Sequence, residues 1–108
     1  MAERTVIVQL ARLLGREEFY RRLSLAEGVE TPDLDDERLA TLRSLVDERL
    51  EALVQALLAE AVANDDVIDA ASARAYLEDR LAFLGDLLTE TQRQTVREGF
   101  ARLVERWG

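Results

Sequence analysis

The chain is 108 residues long, 48% hydrophobic and formally −8 at pH 7, which fits a single domain spanning 1–108 with enough apolar material for a core. It has no cysteine and no histidine, and all fourteen basic residues are arginine. That composition excludes disulfides, thiolate metal sites, imidazole general bases and lysine Schiff bases.

The first helix is predicted from about Glu3 to Leu14, with Val6, Leu10, Leu13 and Leu14 at helical spacing. Gly15 ends or kinks it. The helical pattern then resumes over Glu17 to Leu25, with Phe19, Tyr20 and Leu23 on one side. Spacing alone leaves open whether this is one helix or two. Gly28 suits a helix C-terminus, and Glu30-Thr31-Pro32-Asp33 is the clearest break in the chain.

A second major helix is predicted from Asp35, whose carboxylate can accept from first-turn N–H groups. Leu34 and Leu39 stand at the positions of a hydrophobic staple, and Asp36 and Glu37 suit the positive end of the helix dipole. Leu39, Leu42, Val46, Leu50, Leu53, Leu57 and Val62 recur at three- and four-residue steps, which carries the helix to Ala63. Unbroken, it would be roughly 43 Å long. A helix of that length projects past a small core and favours pairing with a second copy.

Asn64-Asp65-Asp66 is a polar break, with Asp65 or Asp66 capping a third long helix that carries Ile68, Ala71, Ala75, Leu77, Leu81, Leu84 and Leu88. Thr89-Glu90-Thr91-Gln92 matches a capping box, with Thr at the cap and Gln three residues on. The last helix shows a stripe of Val96, Phe100, Leu103, Val104 and Trp107, with Glu98 and Arg102 paired on its other face. The expected fold is all-α: a four- or five-helix antiparallel bundle with one long central helix.

Few residues suggest chemistry. Asp33, Asp35, Asp36 and Glu37 lack the spacing of a calcium loop and read as capping and dipole complement. Asn64, Asp65, Asp66 and Asp69 read the same way. Glu78 and Asp79 are adjacent and so diverge by about 100° on a helix. Ser24, Ser44 and Ser72 have no histidine to activate them. The chain is therefore expected to be no enzyme, with no catalytic residue, cofactor or metal. Arg12, Arg16, Arg21 and Arg22 are interleaved with Glu17 and Glu18, so nucleic-acid binding is not expected either. Val6 to Leu14 is too short for a membrane span and lacks the layout of a signal peptide, which gives a cytoplasmic expectation.

Leu88-Thr89-Glu90-Thr91-Gln92-Arg93 resembles the Leu-Thr-x-x-Gln motif of the Spy-like helical stress chaperones and related metal sensors. The resemblance covers roughly the last half of the chain. It implies a small dimeric helical protein that holds unfolded clients. The sensors' metal-binding histidines have no counterpart here, so metal sensing does not carry over. The residues themselves point first to a non-enzymatic interaction module, a homodimer that binds a protein partner. Leu50, Leu53, Leu57, Tyr20 and Trp107 are the candidate contacts, and a Spy-like holdase is the alternative.

Overall fold

A computed structural model describes the backbone of residues 2–25 and 34–107 and the side chains of 8–25 and 34–106. The described residues form six α-helices and no strand: α1 (Ala2–Leu14), α2 (Arg16–Arg22), α3 (Asp36–Glu48), α4 (Leu50–Ala63), α5 (Ala70–Leu84) and α6 (Glu90–Trp107), with one 3-10 turn at Gly85–Leu87. The Gly28 cap and the Glu30–Asp33 break lie outside the described residues, as do the side chains of Val6 and Trp107.

The N-terminal segment is two helices. Gly15 separates them at φ +98°, a conformation in which a Cβ would be strained. Helix α2 ends with Ser24 at φ +54°, and Leu25 N–H closes back on Tyr20 O at 2.9 Å. That is a Schellman-type closure with serine in the position glycine usually takes.

The expected long central helix is broken. Arg49 leaves the helical region at φ −125°, ψ 24°, and its N–H turns back to Val46 O, three residues away. The cause is tertiary. Nη1 of Arg49 donates to Leu14 O at the end of α1 (3.3 Å), and Nη2 donates to Glu18 on α2. The break sends α3 against α2 and the 3-10 turn, while α4 runs among α1, α5 and α6. The whole molecule is 40 Å in its longest dimension, less than the unbroken helix would need.

Leu42, Leu45 and Val46 of α3 and Leu53, Leu57 and Ala61 of α4 are completely buried. They join Leu10, Phe19, Leu81, Val96, Phe100 and Val104 in one core. Val62, placed on the predicted stripe, instead faces solvent because Ala61 takes the inward position at the end of α4. Burial on this scale, at about 25 cal/mol per Å² of apolar surface, is the main force holding the helices together.

The caps are largely those expected. Asp35 accepts from Arg38 N–H at 2.8 Å. Thr89 and Gln92 form the reciprocal box: Gln92 N–H donates to Thr89 Oγ1 (3.1 Å) and Thr89 N–H donates to Gln92 Oε1 (2.9 Å). The start of α5 differs from the expectation. Asp69 is the cap, in place of Asp65 or Asp66, and it shares a capping box with Ser72. Asn64 Oδ1 instead accepts from Asp66 N–H within the turn. The later start leaves Ile68 outside the helix and exposed, and Ala73 replaces Ala71 and Ala75 on the buried face.

Bonds from Ser72, backbone first, then side chain, hold the Asp69 carboxyl below its ordinary range. A carboxylate with a lowered folded pKa contributes stability above its unfolded value, near 4, and loses it as pH falls through the folded value. Chemical denaturation at pH 6 and pH 3 should therefore show a smaller acid loss for Asp69→Asn than for the native chain. Equal losses would remove the cap from the account.

Candidate functional site: a groove between α4 and α6

The break at Arg49 fixes where α4 begins and which of its residues face α6. Leu50, Glu51, Val54 and Gln55 come from its first two turns. Thr95, Gly99, Arg102, Leu103 and Arg106 come from one face of α6, and together these residues line an open groove of about 350 Å³. Gly99 is what lets the two helices close at its base. A Cβ there would stand 3.3 Å from Cγ2 of Val54, tighter than ordinary van der Waals contact.

The floor is apolar. Val54 is almost fully buried, and Leu50 and Leu103 are half-buried. The rim is polar and mostly exposed, with Glu51 and Gln55 on the α4 side and Arg102 and Arg106 on the α6 side. Arg102 and Arg106 are one turn apart and so lie on the same face. The expected Glu98–Arg102 ion pair is not formed, and in a chain of net charge −8 two arginines against one glutamate in the groove make this a locally cationic edge. The groove can hold an apolar side chain and pair acidic groups beside it.

The sequence-derived contacts fare unequally. Leu50 lies in the groove. Leu53 and Leu57 are wholly buried in the core, because the turn after the break points them at the bundle interior. Tyr20 is 8% exposed and packs edge-on against Phe19, with ring centroids 5.4 Å apart, so it too belongs to the core and is not a partially exposed anchor. Trp107 falls outside the described side chains. Val54, Gly99, Arg102, Leu103 and Arg106 were not singled out as contacts. The available signal was Gly99 inside an otherwise regular amphipathic helix, where a glycine costs about 1 kcal/mol relative to alanine and so marks a close approach.

A second concavity, of about 450 Å³, lies beside the α1–α2 break among Gly15, Arg16, Glu17, Glu18, Arg21 and Arg49. Glu18, Arg21 and Arg49 in it are engaged in ion pairs. Glu18 meets Arg22 and Arg49, and Arg22 reaches Glu48 at 2.7 Å. The hydrogen bond to Glu48 raises the Arg22 pKa and lowers that of Glu48. On α5, Arg80 lies over the rings of Tyr76 and Phe83, 5.6 and 5.1 Å from their centroids. Among the described residues no three carboxylates gather to hold a metal ion, and no helix is long and apolar enough to cross a membrane.

The motif residues act within the chain. Leu88 is buried, and Gln92, at 4% exposure, spends its amide on the cap and on α3, where Nε2 donates to Arg43 O and to Asp47 Oδ1, each at 2.8 Å. Compared with protein-family models, curated proteins and solved structures, the chain gives no match.

Proposed function

We propose that this protein is a non-enzymatic interaction module whose α4–α6 groove receives an apolar segment of a protein partner that also carries acidic side chains. The observation that carries this reading is the pairing of an apolar floor (Leu50, Val54, Leu103) with Arg102 and Arg106 on a single rim. Small apolar grooves with a few oriented charges are the common form of helix-in-groove and peptide recognition. Charge complementarity at the rim contributes chiefly to specificity and encounter rate. The homodimer expectation loses its original support, since the helix whose length suggested it is broken at Arg49.

A benzophenone amino acid at Gln55, exposed on the rim, tests the reading in the source cells. Irradiation should give discrete protein adducts that Arg102→Glu/Arg106→Glu abolishes. The same probe at Ala82, exposed on α5, should give none of them. Identical adducts from both positions would mean the groove is not the binding surface.

A second reading is the Spy-like holdase, for which the exposed apolar residues Val8, Val62 and Ile68 are the supporting observation. It requires that a sub-stoichiometric to equimolar amount of the protein slow the aggregation of an unfolding client. No change in light scattering rejects it.

A further inference from the structure

One surface of the chain has the chemistry that its own groove lacks. The last turn of α4 and the turn that follows it expose Val62 (54%) and Ile68 (81%), the two most exposed of the large hydrophobic residues described. Asp65 and Asp66 lie between them in sequence, both exposed. The turn is not a floppy one. Asp66 N–H is held by Asn64 Oδ1 at 2.9 Å, Val67 N–H by Asn64 O at 3.0 Å, and Ile68 N–H by Ser72 Oγ at 2.9 Å. Ordered backbone bonds thus hold the short stretch 62–68, a tip that exposes two apolar side chains and two carboxylates within seven residues, and part of the ordering entropy of binding is already spent.

The groove presents the complement: an apolar floor of Leu50, Val54 and Leu103, with Arg102 and Arg106 beside it. A single copy cannot bring the two together. Both surfaces are built on α4, the groove on its first turns and the tip at its end, and eight residues of rigid helix separate Val54 from Val62 by about 12 Å. Only another molecule can fill the groove with this tip.

We infer that the partner of the α4–α6 groove is a second copy of this chain, docked head to tail, with Ile68 and Val62 of one copy against Leu50, Val54 and Leu103 of the next and Asp65 and Asp66 facing Arg102 and Arg106. The inference rests on the interaction-module reading and names its occupant. Such a contact is heterologous, so each pair keeps one free groove, on one copy, and one free tip, on the other, and the association is open-ended. Two chains of net charge −8 repel at long range. At physiological salt the screening length is about 8 Å, which damps that repulsion more than it weakens pairs in direct contact. The contact is small, so the association is weak and concentration-dependent.

Sedimentation equilibrium on the full chain tests it. The weight-average mass should rise from 12.2 kDa by at least twofold as the concentration approaches about 1 mM. Ile68→Arg breaks the tip, and Arg102→Glu/Arg106→Glu breaks the groove. All three positions are exposed, so circular dichroism should show folded variants. Each variant alone should stay monomeric. Mixed one to one, they should form a dimer and nothing larger, because one supplies the intact groove and the other the intact tip. A native chain that stays at 12.2 kDa throughout, or variants that associate as the native chain does, overturns the inference. A mixture that stays monomeric overturns it as well. Failure of the broader reading is told apart by the Gln55 adducts. Adducts to a different protein with a monomeric native chain remove self-association and leave the groove as a binding site, whereas no adducts at all remove both.

Discussion

Gln92→Leu should lower the thermal midpoint by roughly 10–20 °C, the largest loss expected of any single polar substitution in this protein. Gln92 makes four hydrogen bonds from a nearly inaccessible position: two in the cap with Thr89, and two from Nε2 to Arg43 O and Asp47 Oδ1 on α3. The backbone N–H bond survives the substitution. The other three partners lose a bond, one of them a carboxylate. A lost cap is worth about 1 kcal/mol and a bond to a charged group about 1.5–3, which sums to about 3 kcal/mol against a total stability of about 5–15.

Two companions separate the cap from the bridge. Thr89→Ala removes only the side-chain half of the box and should cost about 1 kcal/mol. Gln92→Glu keeps an oxygen for the cap but turns the Nε2 donor into a second oxygen facing Arg43 O and Asp47. At pH 7 it should be at least as damaging as leucine. The two facing oxygens raise the folded pKa of the new carboxyl, so its deficit should shrink as pH falls through that raised value towards the unfolded one, about 4.3. A glutamate variant of native stability at pH 7 would show that the contact with α3 contributes nothing.

Gly85→Ala should cost about 1–3 kcal/mol, entirely through the backbone. The residue sits at φ +56°, ψ −133°, a region that side-chain-bearing residues avoid, and a Cβ there would meet nothing within 4 Å. No clash contributes, so the substitution reads the conformational term alone. The conformation is also fixed from outside: Arg93 Nη1 donates to Gly85 O at 2.8 Å and Arg43 Nη2 to Asp86 O at 2.7 Å. Asparagine tolerates the left-handed helical region but not this ψ, so Gly85→Asn should cost about as much as alanine. Urea unfolding midpoints measure all three chains. Recovery with asparagine would place the turn in the ordinary left-handed region and refute the argument.

The caps were legible because they are local. Asp35 with Arg38, and Thr89 with Gln92, are three residues apart and need no knowledge of the rest of the chain. The stripe Val96, Phe100 and Val104 was legible for the same reason, being one face of one helix. Asp69 was missed because a serine at the third helical position closes its box, a weaker signal than Glu or Gln. Nothing local marks Arg49, a good helix former amid other good formers. Its departure from the helix is decided by Leu14 O and Glu18, more than thirty residues away. The groove was hidden behind that same break, since the first turns of α4 reach their places against α6 only after it. The identity of Leu53 and Leu57 as core followed suit.

That break also divides the molecule by its resistance to opening. Helix α4 is clasped by α1, α5 and α6, whereas α3 leans on α2, on α4 itself and on the short turn at Gly85–Leu87, and is tied to α6 through Gln92. Because the hydrogen-bond ladder is interrupted at Arg49, fraying of α3 need not propagate into α4. The α2–α3 side should then open at lower free energy than α4–α6, which carries the groove, and amide hydrogen exchange would read the difference. A binding surface built on the slower-opening unit keeps its shape while the rest of the chain breathes.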